Sequence, residues 1–247
     1  MRTRILWAVG IALVVYLAVT RQVLTVYTGI DILAAIVAIV LHEVAHGLAA
    51  LYYGDRTAAS RGRLSLNPLA HIDPFGTIIL PGLLLLLHLV PIGYAKPVPI
   101  DPSRMRNRRR AELVVSLAGP ATNLALSIVS GLVLRLLLFS SLTGAQSPVY
   151  GSVSTPASLF DLFWIYLGVI NAILCIFNLI PIPPLDGSAI LRRIIGERRF
   201  FNVAANMRFI LPIVLIAIFV FPGILGHILN PVINLWLSVF LPHVVSL

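Results

Sequence analysis

Acidic residues are scarce in this chain. Nine Asp and Glu stand against 18 Lys and Arg in 247 residues, and charged residues make up only 11% of the sequence. A soluble domain of this size needs far more polar surface, so a water-soluble globular protein is excluded. Cysteine is nearly absent as well. Cys175 is the single one, lies in an apolar stretch and reads as a small core residue, so a disulfide framework is excluded too. With the short apolar run at 77–90 counted as a segment, every stretch connecting two apolar segments is far shorter than the roughly 50 residues a domain needs, which leaves no room for an inserted domain.

What the chain has is apolar surface. Hydrophobic residues make up 59% of it, and its mean hydropathy is +0.98. Such a chain belongs in a lipid bilayer and crosses it several times. The net charge of +9 does not indicate a nucleic-acid partner, because the basic residues are not interleaved with aromatics. They gather in short loops between apolar segments, where they set membrane orientation.

Apolar runs at residues 5–20, 31–53, 112–139, 157–180, 209–221 and 224–241 predict about six transmembrane helices in a single membrane-embedded domain, residues 1–247. A catalytic core occupies about residues 31–187, followed by C-terminal helices within 207–247. The first run has a basic start but no small-x-small cleavage site, and Arg21 follows it, so it reads as a retained helix with a cytoplasmic N-terminus. If the loops at 56–63, 96–110 and 192–208 are cytoplasmic as well, only Arg21 and Arg135 fall toward the other side. The stretch 64–94 must then leave and return on one face. Its alternating Arg63-Leu64-Ser65-Leu66-Asn67, its turn-rich residues 67–76 and its extended Tyr94-Ala95-Lys96-Pro97-Val98-Pro99 predict a small strand-containing re-entrant loop. The expected fold is therefore an all-α polytopic membrane protein with that one strand-bearing insertion.

Within the second helix lies His42-Glu43-Val44-Ala45-His46. Four residues on a helix make little more than one turn, so both imidazoles leave the same face and can grip one Zn²⁺, with Glu43 beside them as a base. Ionisable groups inside an apolar helix are costly and mark a functional site. A catalytic zinc takes a third protein ligand and keeps one position open. Asp186 fits, because it follows the fourth helix as that helix reaches the cytoplasmic side. Glu112 competes, but it adjoins the run Arg106 to Arg110 and reads better as an interfacial ion pair. His71 and Asp73 lie in the right region and read as parts of the re-entrant loop.

Three ordered motifs carry a family resemblance. His42-Glu43-Val44-Ala45-His46, Ala118-Gly119-Pro120-Ala121-Thr122-Asn123 and the stretch from Asn178 through Pro183-Pro184-Leu185-Asp186-Gly187 together resemble the site-2 protease family of intramembrane zinc metalloproteases, in its compact form without a PDZ or CBS domain. The resemblance implies one Zn²⁺ per chain held by His42, His46 and Asp186, with Glu43 as general base and Asn123 near the substrate or its oxyanion. It implies that the partners are transmembrane protein substrates, cleaved within or next to their spans, in the cell membrane. The third motif departs from the family's frequent Asn-x-x-Pro-Asp-Gly, which leaves the role of Asn178 open. An alternative from a different class is a metal or proton transporter built on the same His and Asp cluster.

Overall fold

The computed structural model describes residues 25–86, 93–143, 158–205 and 222–241, together with isolated helical positions at Gly10, Ala12, Tyr16, Val19 and Thr20. In chain order its principal α-helices are α1 (Val26–Tyr52), α2 (Thr57–Ser60), α3 (Leu80–Leu86), α4 (Arg108–Thr143), α5 (Leu159–Leu179), α6 (Ser188–Ile195) and α7 (Pro222–Phe240), and residues 197–205 are helical as well. Among the described residues, α1, α4 and α5 are the three helices long and apolar enough to cross a membrane.

These three pack on one another along stripes of small or polar residues spaced four apart. On α1 the buried stripe is Ala34, Ala38, His42, His46 and Ala50. On α4 it is Ala111, Val115, Gly119, Asn123, Ser127 and Gly131. On α5 it is Leu167, Asn171 and Cys175. Side chains four apart form the ridges by which helices interlock, and small residues on those ridges let backbones approach where lipid offers no hydrophobic driving force. The aromatic rings of α7 dock on glycines for the same reason. A Cβ at Gly168 would lie 2.0 Å from the Trp236 ring, and one at Gly131 would lie 2.2 Å from Phe240. The Trp236 indole N–H then donates to the Ser127 carbonyl at 3.3 Å, inside the membrane-spanning region.

The helix ends bring the functional residues to one level. Thr25 caps the start of α1 by accepting from the Thr28 N–H. At its other end Gly54, with φ +107°, donates to Leu51, and Asp55 donates to Ala50, which closes the helix with a left-handed glycine. The Arg106 N–H bonds the Tyr53 carbonyl, so α4 starts where α1 stops and runs back alongside it. Ser158 and Asp161 form a reciprocal capping box at the start of α5, which ends just before Asp186.

Asp55 ties this level together. Its carboxylate is fully buried and accepts from the Thr57 hydroxyl, the Thr57 N–H at 2.9 Å and the Asp101 N–H at 2.7 Å. Burial alone would raise its pKa, but the Thr57 hydroxyl and the Asp101 and Thr57 amides outweigh it and hold the carboxyl below its ordinary value. A depressed carboxylate contributes stability above its unfolded pKa, and that contribution is lost as pH falls through the folded value. Asp55→Ala strands three donors and is expected to cost about 3 kcal/mol, with less of a loss at acidic pH than at neutral pH. Thermal midpoints in detergent at both pH values check this; equal midpoints for wild type and variant at neutral pH would sink it.

The six-helix, strand-containing expectation is overturned. The described residues contain three candidate membrane helices and no strand. The predicted spans at 5–20 and 209–221 lie outside the described residues, apart from the isolated helical positions named above. The last apolar run is one helix, α7, which passes through Pro231. The reason for the missing strands is visible in the backbone bonding. In 61–67 the alternating residues turn to nearby groups: the Asn67 N–H takes the Ser65 Oγ, the Ser65 carbonyl takes His71 Nε2, and Arg63 reaches the Ala70 carbonyl. In 94–100 two prolines remove donors, and three of the remaining amides go singly to other partners: Tyr94 to Gly76, Lys96 to His71 and Val98 to Glu43. Extended backbone is there, but no ladder. The segment after Asp73 is helical instead, a π-turn over Pro74–Ile79 leading into α3.

Candidate metal centre

His42 and His46 lie about 15 and 9 Å of helix rise before the end of α1. Both are buried. Their Nε2 atoms stand 3.0 Å apart, and Asp186 Oδ2 lies 3.2 Å from the first and 3.3 Å from the second. Among the described residues these three form the group of His, Cys, Asp and Glu side chains close enough to share one metal ion.

Their outer partners decide what the inner atoms present. His46 Nδ1 lies 2.7 Å from the Val115 carbonyl, which can only accept, so that nitrogen carries the proton. His42 Nδ1 likewise donates to Asn123 Oδ1 at 3.1 Å. In a neutral imidazole the other nitrogen is then a bare lone pair. Two lone pairs and one carboxylate oxygen therefore face each other at contact distance, and the Asp186 oxygen is buried without a hydrogen-bond partner. Such a cluster repels itself unless a cation sits among the three. Bonds of about 2.0–2.1 Å in tetrahedral geometry put ligand atoms about 3.3 Å apart, close to what is seen, so the donor set fits zinc.

The α4 stripe makes the close approach possible. A Cβ on Gly119 would fall 2.5 Å from His42 Cε1, 2.5 Å from His46 Nε2 and 2.6 Å from His42 Nε2. Val115, one turn before it, orients His46, and Asn123, one turn after, orients His42. Gly187 does the same for Asp186, since a Cβ there would lie 2.3 Å from the Leu179 carbonyl oxygen. Glu43, on the neighbouring face of α1, accepts from the Val98 N–H at 3.0 Å, the lone donor between Pro97 and Pro99.

The other candidates have structural partners. Glu112 pairs with Arg108 at 2.9 Å and with Arg192, the interfacial ion pair its position predicts. His71 is buried and donates through Nε2 to the Ser65 carbonyl at 2.8 Å, outside the cluster. Asp73 caps the π-turn by accepting from the Phe75 and Gly76 amides. The Asn178 amide bonds the Leu174 carbonyl, and its own carbonyl accepts the Gly187 N–H at 2.6 Å, which anchors the turn carrying Asp186. Asn123 is fully buried against His42, with its Nδ2 unpartnered. Sequence reasoning missed Val115 and Val98, which act through backbone groups that any residue type supplies. Gly119 lies in the second motif, but nothing in the sequence alone says that it faces the two histidines. Asn123→Ala removes the group that orients His42, a candidate ligand, and is expected to weaken zinc affinity about 10–100-fold. Competition with a chelator measures this; an unchanged affinity would contradict the orienting role.

Two buried histidines one turn apart and a convergent aspartate could hold a metal ion, with a glutamate beside them and all in a bundle of apolar helices, the arrangement expected of a membrane-embedded metallohydrolase. The sequence pattern of Peptidase family M50 matches residues 30–222, and the chain belongs to that family. It is similar to YwhC of Bacillus subtilis (strain 168), named for zinc metalloprotease activity, with 36% identity over 206 residues, 82% of this chain and 85% of that protein. It is also similar to Rip2 of Mycolicibacterium smegmatis (strain ATCC 700084 / mc(2)155), named likewise, with 32% identity over 168 residues, 65% of this chain and 56% of that one. Rip2 of Mycobacterium tuberculosis (strain ATCC 25618 / H37Rv) is 32% identical over 189 residues, 75% of this chain and 66% of that one. No solved structure matches the chain. The protein is thus an intramembrane zinc metalloprotease, and the comparisons give the transport alternative no support.

Proposed function

We propose that His42, His46 and Asp186 hold the catalytic zinc, that Glu43 is the general base, and that the substrates are transmembrane segments of other proteins. The observation that carries this reading is the orphaned Asp186 oxygen facing two bare imidazole nitrogens. Zinc supplies Lewis acidity there, which acidifies water and polarises a peptide carbonyl. Glu43 takes a proton from the attacking water and returns it to the leaving nitrogen, so one carboxylate serves both halves of the hydrolysis. The Val98 amide fixes that carboxylate through Oε2 and leaves Oε1 for the proton. Asn123, with its free Nδ2, supports a second role as a donor to substrate.

A helical substrate hides its carbonyls in hydrogen bonds and must unwind locally before cleavage. The depth of the site below the end of α1 suits bonds near the end of a span. The arginines at that end favour a multi-pass arrangement in the cell membrane with the site toward the cytoplasm. The catalytic unit is residues 31–187 of one membrane-embedded domain.

The ligand set is tested by Asp186→Asn beside Glu112→Gln. Zinc content and cleavage of a panel of single-span membrane proteins in detergent are expected to fall at least about tenfold in the first variant. The second variant is expected to keep its zinc. Loss of zinc in the Glu112 variant with retention in the Asp186 variant would reverse the assignment.

A further inference from the structure

An open cleft of about 480 Å³ is lined by Asn107, Arg108, Arg109, Arg110 and Arg193. Two elements build it, the start of α4 and the last turn of α6, and Arg193 reaches across to the Arg109 carbonyl at 3.4 Å. Glu112 is engaged by Arg108 and Arg192 and so does not neutralise the rest. Glu197 stands near enough to Arg108 to act on its charge, and the lining itself holds no acid.

The arrangement is unfavourable for the fold by itself. The first turn of α4 has no acidic residue and carries three arginines at the positive end of a helix dipole, where anions stabilise and cations do not. Orientation in the membrane accounts for basic residues on this side. It does not account for their convergence on one cleft from elements about eighty residues apart. An anion in the cleft would compensate all of these charges at once. The level of the cleft indicates where that anion comes from. Arg108 is the first residue of the candidate span through Leu137, so the cleft lies where a bilayer's phosphates lie. Ile194, next to Arg193, is 75% exposed, and Phe201 is 61% exposed, apolar surface that acyl chains would cover.

We propose that this cleft binds the phosphate of an anionic phospholipid, with Arg109, Arg110 and Arg193 around the headgroup and Ile194 against its chains. The site is separate from the metal centre, and the inference does not rest on the protease reading. Arg192, paired to Glu112, lies beside it on the helix that follows Asp186, so a bound lipid would brace the element carrying the third candidate ligand.

The test uses the full chain in mixed micelles with equal phosphatidylglycerol and phosphatidylcholine, with retained lipid counted by native mass spectrometry. Wild type is expected to retain phosphatidylglycerol in about tenfold preference, and Arg109→Gln/Arg193→Gln to lose most of it. Arg56→Gln/Arg61→Gln, an equal change of charge on a different loop, is expected to leave the preference intact. Arg109→Lys/Arg193→Lys is expected to keep part of it, and unchanged zinc content would show that the variants are folded. No preference in wild type, or equal losses in the two Gln pairs, would overturn the site. Displacement of the lipid by millimolar inorganic phosphate would assign the cleft to a free anion and overturn the lipid.

Discussion

Glu43→Gln is expected to keep one zinc per chain while the rate of peptide cleavage falls by at least about 10²-fold, the contribution of a positioned general base. The substitution keeps the side chain's size, and its amide oxygen can still accept the Val98 N–H. What it removes is the ability to take a proton from water. His42 and His46 keep their outer partners, Asn123 and Val115, so the metal donors stay in place. Metal analysis together with cleavage of a single-span substrate separates the two consequences. Cleavage at the wild-type rate would remove Glu43 from the mechanism, and loss of zinc would make it a ligand or a scaffold for the ligands.

Gly119→Ala is the second large effect. One methyl group would stand within about 2.6 Å of both imidazole Nε2 atoms, nearer than a carbon can approach. Either the rings turn away or α4 retreats from α1, and both break the convergence on Asp186. The expected result is zinc content falling well below half of wild type, with cleavage falling in step and the helical content by circular dichroism unchanged. Gly29→Ala is the control on α1, because a Cβ there meets nothing within 4 Å and alanine favours a helix. Full zinc loading in Gly119→Ala would mean that α4 does not approach the histidines as closely as the structure has it.

These two residues differ in how far the sequence could foretell them. The meeting of Asp186 with His42 and His46 was legible, because two histidines four apart inside an apolar helix call for a further ligand and Asp186 follows the helix that ends near them, and Glu43 was legible as a candidate base from its place between the two histidines. Both inferences need only helix geometry and coordination chemistry. The three central helices were legible for a similar reason, as long apolar runs between charged loops. The strands were not there, because alternation at 63–67 reports which way side chains point and says nothing about whether a partner's amides are free. Ser65, His71 and Glu43 had claimed those amides and carbonyls first. The π-turn at Pro74–Ile79 was hidden by the same turn-forming residues that suggested a loop, since Asp73 and Pro74 are also good helix starters. Val98 and Val115 could not have been picked out, because only their backbone groups take part.

The four-residue stripe on α4 has a consequence for how this chain can vary. Val115, Gly119 and Asn123 face His46, the gap between the rings, and His42 in turn, and each does so only in its own rotational setting. Adding or deleting one residue of α4 before Val115 would swing all three by about 100° and leave the imidazoles without their orienting partners. The connecting segments have no such phase to keep, and the closure cost of a longer connection grows slowly with its length. Divergence in length among relatives is therefore expected to collect between the helices and to stop at the first turn of α4, as though the bundle were read in a fixed frame.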